Sequence, residues 1–136
     1  MSQENVEIVT GNLRAWQHDD LEAFLLRTHP EIEWYAVLER LVEGPESAYH
    51  GHEGVRRLWD TYRTELDGFE VEAEEIRDVG DDRVVLLGRI RWRGTASGIE
   101  SESPFGMVIT VRDGKMFHSV DYVSHVEPLE AVGLAE

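Results

Sequence analysis

Apolar residues in the first half of the chain recur at the three- and four-residue spacing of amphipathic helices. A first helix is predicted over 6–16, and a shorter second helix over 21–25, which ends at Pro30. The clearest helix covers 55–66, where arginines occupy the face opposite five apolar residues: Val55, Leu58, Trp59, Tyr62 and Leu66. Between these helices, Ile32–Ala36 predicts a short aromatic-rich strand, and Glu39–Tyr49 is interpreted as a loop.

In the second half of the chain the apolar period changes to two, which is typical of strands with one buried face. The predicted strands are 69–79, 83–94, 99–112 and 115–125. The alternation slips before Ile76, which indicates a bulge, and Asp113-Gly114 is a strong hairpin-turn signal. A short helix is expected at 128–132, with Gly133 as its stop.

Helices followed by a meander of long antiparallel strands predict an α+β fold, in which helices pack on one face of a curved, mainly antiparallel sheet. We expect one domain over residues 1–136, because this length suits a single hydrophobic core. A curved sheet under helices encloses a cone-shaped cavity, and apolar cavities of this kind are where small ligands bind.

Composition excludes several classes of function. The net charge of −15 argues against binding to nucleic acid or to anionic lipid. No apolar run approaches the ~20 residues of a membrane span, and the polar N-terminus lacks the pattern of a signal peptide. The absence of cysteine excludes a disulfide framework and a thiolate nucleophile. A cytoplasmic location is the simplest expectation.

Asp121 is the most informative residue for chemistry, because it stands in the mostly apolar last strand. A carboxylate in that position costs free energy unless it is solvated or paired, and carboxylates with a perturbed pKa gather at functional sites. It is either a general acid/base in an apolar pocket or one half of a structural ion pair with Arg89. The sequence leaves both interpretations open.

Three arginines, Arg89, Arg91 and Arg93, share one face of their predicted strand. Such a row could bind an anionic substrate. More often it pairs with acids on the neighbouring strand, here Glu100 and Glu102, and we favour this cross-strand interpretation.

The sequence predicts neither a metal site nor a bound cofactor. His50 and His52 stand two residues apart, but no third ligand lies nearby. His118 falls on the strand face opposite Asp121, so it is not expected to be a partner of that carboxylate. There is no glycine-rich phosphate loop, nucleophile elbow or serine triad signature.

Four stretches of the chain carry a family resemblance: 30–34, 49–55 leading into the Trp59 helix, 111–115, and Asp121-Tyr122 followed by 129–134. Together they resemble the SnoaL-like (polyketide cyclase-like) branch of the nuclear transport factor 2-like superfamily, which includes ketosteroid isomerase and limonene-1,2-epoxide hydrolase. The resemblance implies an α+β cone with a pocket between sheet and helices, and a homodimer formed through the outer sheet face.

The resemblance also implies roles for single residues. Asp121 falls where epoxide hydrolases of this fold keep an aspartate that activates water, but the second aspartate of those enzymes is replaced here by Arg91, two residues after Arg89. The first helix also lacks the tyrosine of the isomerases. The residues expected to line the pocket are Trp16, Trp34, Trp59, Tyr62, Phe105, Met107 and Tyr122.

The leading hypothesis is a cofactor-independent isomerase, cyclase or hydrolase that acts on a small hydrophobic molecule. In it, Asp121 is the general acid/base and Arg89 is its polar neighbour. The alternatives are a non-catalytic ligand-binding domain and a dimeric scaffold, since the catalytic constellations of the related enzymes are incomplete here.

Overall fold

The computed structural model describes residues 2–44, 46–95 and 97–134, and these form helices and strands in mixed order. The helices are α1 (Ser2–Gln17), α2 (Leu21–Leu26), α3 (Val37–Val42), α4 (Gly51–Glu65) and α5 (Val126–Ala131). The strands are β1 (Thr28–Tyr35), β2 (Tyr49–His50), β3 (Leu66–Gly80), β4 (Arg83–Gly94), β5 (Glu100–Arg112) and β6 (Lys115–Tyr122). None of the helices in these ranges is both long and apolar enough to cross a membrane.

The strands form one curved sheet in the order β2-β1-β6-β5-β4-β3. All neighbouring strands are antiparallel except β1 and β6, which run parallel. The main hydrophobic core lies where α1, α2 and α4 pack on one face of this sheet. A smaller cluster around Val85, Leu87 and Val108 lies on the other face, next to Leu129 of α5. The predicted α+β architecture is confirmed.

The four long strands predicted from the period of two are present as β3 to β6. The predicted bulge is confirmed, because the β3–β4 register shifts between Ala73 and Glu75. Gly88 lies opposite this bulge, where a Cβ atom would collide with the carbonyl oxygen of Glu72. Asp113 has a φ of 54° and Gly114 a φ of 72°, as a tight hairpin turn of this kind requires.

The interpretation of Glu39–Tyr49 as a loop is wrong at both of its ends. Its first residues belong to α3, and its last residue begins β2. Helix α3 buries only the side chain of Val37, so its apolar pattern is too short to be recognised. The helix is held by hydrogen bonds to distant residues, which no local sequence pattern encodes.

Candidate active site

A cavity of about 50 Å³ lies between the helices and the inner face of the sheet, and its walls are almost entirely apolar. Five of the residues expected to line a pocket are in its walls: Trp16, Trp34, Tyr62, Phe105 and Met107. They reach it from four different elements, namely α1, β1, α4 and β5. Asp121 of β6 is the one carboxylate in the described part of the wall.

Asp121 is buried in this wall, with 4% of its surface exposed. Its Oδ1 atom accepts a hydrogen bond from Trp34 Nε1 at 3.1 Å, and its Oδ2 atom accepts one from the backbone N of Val37 at 3.1 Å. Burial raises the pKa of Asp121 to about 7, although both hydrogen bonds and the charge of Arg40 oppose the rise. The carboxyl can therefore exchange a proton near neutral pH.

Tyr62 is the second ionisable side chain in the cavity wall, and both of its hydrogen bonds go to α3. Its hydroxyl donates to Glu39 Oε1 at 3.0 Å and accepts from the backbone N of Leu38 at 3.0 Å. The hydroxyl of Tyr49 donates to the other oxygen of Glu39. Burial, followed by the charges of Asp121 and Glu39, raises the pKa of Tyr62 above its usual value. Tyr62 therefore keeps its proton, and that proton is committed to Glu39.

The expected pairing of Asp121 with Arg89 is wrong. Arg89 points to the outer face of the sheet, where its Nη2 atom lies 2.8 Å from Glu102 Oε1. Neighbouring residues on a strand face opposite sides, and Ile90 is the one that faces the core. The cation whose charge acts on Asp121 is instead Arg40, which donates a hydrogen bond from Nη1 to the Asp121 carbonyl oxygen.

The cross-strand interpretation of the arginine row is confirmed. Arg91 Nη1 lies 3.7 Å from Glu102 Oε2, and Arg93 Nη2 lies 3.4 Å from Glu100 Oε2. These side chains are half-exposed or exposed, and such ion pairs contribute little to stability. The row therefore stands outside the candidate site.

Two of the expected pocket residues lie elsewhere. The ring of Trp59 packs on Trp16 with its centroid 4.8 Å away, but Trp59 is one layer removed from the cavity, and its Nε1 donates to Asp19. Tyr122 follows Asp121 on β6 and therefore faces the other side of the sheet, under the guanidinium of Arg40.

Asn12 in the cavity wall was not among the expected site residues. It is buried on α1, one turn before Trp16, and its Nδ2 donates to Thr28 Oγ1 at 3.4 Å. Among the described residues, its Oδ1 atom has no hydrogen-bond donor. A polar residue inside the apolar stripe of the first helix is the signal that could have identified it.

The two histidines, His50 and His52, contact different partners. His52 Nε2 is hydrogen-bonded to the Thr28 carbonyl oxygen at 2.7 Å, whereas His50 Nδ1 lies 4.0 Å from Glu33 Oε2. Within the described ranges, no three histidine or acidic side chains are placed to hold a metal ion.

Comparison with known proteins identifies the family, and the chain belongs to the SnoaL-like domain family, whose sequence profile matches residues 9–119. No curated protein matches the sequence. A protein of unknown function from Burkholderia pseudomallei, described as NTF2-like, superposes with a TM-score of 0.78 at 21% identity, over 96% of this chain and 98% of the other.

Two further structures show the same fold. TerC, co-crystallised with polyporic acid, is 26% identical with a TM-score of 0.76, over 95% of this chain and 98% of its own. An LEH-like epoxide hydrolase from M. tuberculosis is 18% identical with a TM-score of 0.72, over 96% of this chain and 90% of its own. The profile match confirms the resemblance to the SnoaL-like branch, and the superpositions show the NTF2-like fold.

Proposed function

We propose that the cavity binds a small, mostly apolar molecule and that Asp121 acts there as a general acid/base. The observation that carries this proposal is the buried carboxyl of Asp121 in an apolar wall, with a pKa raised to about 7. A general acid/base is most effective when its pKa lies near the working pH. Perturbed carboxyls of this kind gather at active sites.

The reaction that fits one carboxyl is an isomerisation, a cyclisation or a hydration without a cofactor. Each of these needs a proton to be taken from one atom and returned to another, or a water molecule to be activated. The hydroxyl proton of Tyr62 is committed to its hydrogen bond with Glu39. Among the described residues of the wall, Asp121 is therefore the group available for proton transfer.

The volume of the cavity limits what it binds in this conformation. A water molecule needs roughly 10–15 Å³ of such space, so about 50 Å³ holds a few non-hydrogen atoms of a ligand. Two proteins of the same fold support a small-molecule function: TerC was co-crystallised with polyporic acid, and the M. tuberculosis protein is an LEH-like epoxide hydrolase.

A non-catalytic binding or scaffold domain is the second candidate. It is favoured by the small cavity and by the hydrogen bond from the Val37 amide, which gives Asp121 a structural role at the start of α3.

Under either function, we propose a cytoplasmic homodimer that assembles through the outer sheet face. Tyr35 and Val120 are half-buried neighbours on that face and offer an apolar surface.

The test of the acid/base role combines a titration with a turnover assay. The ¹³C carboxyl signal of Asp121 should titrate with a midpoint near 7. Turnover of small ketones, epoxides and polyketide aldol substrates should be lost in Asp121→Asn and kept in Asp60→Asn. Unchanged turnover in Asp121→Asn rules out the acid/base role.

A further inference from the structure

Asp121 separates the inner cavity from a second hollow. This outer cleft, of about 210 Å³, lies between α3, the end of β6 and the start of α5. Its walls include Arg40, Leu41, Tyr122, Val123 and Glu127, and Asp121 is the residue that belongs to both walls. A molecule that extends from the cavity into the cleft therefore passes the carboxyl that we propose as the acid/base.

Arg40 gives the cleft a positive charge. Its Nη1 atom donates to the Asp121 carbonyl oxygen, and its guanidinium lies 4.8 Å from the centre of the Tyr122 ring. Its Nε atom is buried without an acceptor among the described residues, and Arg40 forms no ion pair with a carboxylate in those ranges.

Arg14, Arg27, Arg57 and Arg112 also lack an ion pair among the described residues. Arg40 differs from them because it lies in the wall of a cleft that also contains Asp121. The guanidinium has five N–H donors in a fixed fork that matches a carboxylate. Leu41 is 64% exposed and Val123 is 36% exposed, so the cleft also offers apolar surface beside this cation. Glu127 is exposed at the rim, where water screens its charge.

Helix α3 forms one wall of the outer cleft, and its Val37 amide donates to the Asp121 carboxyl. It buries only Val37, and Val42 is 82% exposed, so little apolar contact holds it in place. Hydrogen bonds also hold it: its backbone donates to Asp121 and Tyr62, and the side chains of Glu39 and Arg40 bond to Tyr62, Tyr49 and the Asp121 carbonyl oxygen. A ligand that bonds to the same groups can replace them.

We propose that the ligand of this site is a small amphiphilic carboxylate, whose apolar end enters the inner cavity and whose carboxylate binds Arg40 in the cleft. This inference rests on the proposed function, because it places the reacting part of the ligand beside Asp121. In this proposal, Arg40 is the residue that selects ligands with a carboxylate at one end.

The experiment compares hexanoate with 1-hexanol, which has the same apolar chain and no charge. Binding is followed by NMR at the indole N–H of Trp34, which donates to Asp121 at the junction of the two hollows. Wild-type protein should bind hexanoate at least tenfold more tightly than 1-hexanol. Arg40→Met should weaken hexanoate binding at least tenfold and leave 1-hexanol binding unchanged.

The matched control is Arg57→Met, which removes the same charge from the exposed face of α4 and should bind both probes as wild type does. Arg40→Gln keeps a donor for the Asp121 carbonyl oxygen and should lose hexanoate affinity as Arg40→Met does. The inference is overturned if wild type does not prefer hexanoate, or if either Arg40 variant keeps its hexanoate affinity. Binding of 1-hexanol, together with an Asp121 titration near 7, would then still support the proposed cavity function.

Discussion

The charge state of Asp121 should make the stability of the protein depend on pH, with a sign that is unusual for an aspartate. Burial raises its pKa from 3.8 to about 7 in the folded protein, whereas the unfolded chain exposes the carboxyl to water at its ordinary pKa. The folded state therefore holds the proton more tightly than the unfolded state. The stabilisation is complete below the unfolded pKa and is lost as pH rises through 7.

The size of this effect follows from the distance between the two pKa values. They are about 3 pH units apart, which corresponds to roughly 4 kcal/mol at about 1.4 kcal/mol per unit. The protein is least soluble near its isoelectric point of about 4.7, so the practical window begins at about pH 5.5. Between about pH 5.5 and 7, the Asp121 contribution should fall by roughly 2 kcal/mol, out of the 5–15 kcal/mol typical of a domain.

The assay is urea unfolding of wild type and Asp121→Asn at matched pH values. Asparagine does not titrate, and every other ionisable group is common to both proteins, so the difference between their free energies of unfolding isolates Asp121. Wild type should lose roughly 2 kcal/mol relative to the variant up to about pH 7 and then level off. Parallel curves, or a wild type that gains stability relative to the variant with rising pH, would refute the raised pKa.

Three further substitutions test the site. Trp34→Phe removes a donor to the carboxylate, so the pKa of Asp121 should rise further, as followed by carboxyl NMR. The free energy of unfolding in urea at pH 8 should fall by about 1–3 kcal/mol, and Trp92→Phe is the control. Tyr62→Phe leaves the Leu38 amide and the Glu39 carboxylate without their partner, so the free energy of unfolding in urea should fall by about 1–3 kcal/mol. An unchanged unfolding midpoint would contradict these hydrogen bonds. Arg89→Met breaks only the partly exposed ion pair with Glu102, so the free energy of unfolding should change by less than about 1 kcal/mol. The affinity for 1-hexanol, measured by NMR titration, should not change.

The sheet could be predicted from the sequence because its signals are local. An apolar period of two and the Asp113-Gly114 turn depend on residues that are close together in the chain. Helix α3 could not be predicted in this way. Its hydrogen bonds reach from Val37 to Asp121 and from Leu38 to Tyr62, across 84 and 24 positions, and they exist only once the sheet and α4 have formed.

Two errors in the predicted site were avoidable from strand alternation alone. Arg89 precedes a core isoleucine on β4, and Tyr122 directly follows Asp121 on β6, so neither could share the cavity face with its neighbour. Arg40 is a different case, because it reaches Asp121 from α3, which the sequence does not predict. Asp121 itself was recognisable, since a carboxylate in an apolar strand contrasts with its immediate surroundings.

Asp121 uses the same two oxygens for the fold and for the proposed chemistry. Trp34 and the Val37 amide both favour the charged carboxylate, while burial favours the neutral acid, and burial prevails by enough to bring the pKa to about 7. Loss of one donor would raise the pKa further, and entry of water would lower it toward its ordinary value. A residue that only anchored α3 could be asparagine, whose amide oxygen also accepts a hydrogen bond. The apolar wall and the two donors together bring the pKa of this carboxyl close to neutral pH, which is what the proposed general acid/base role requires.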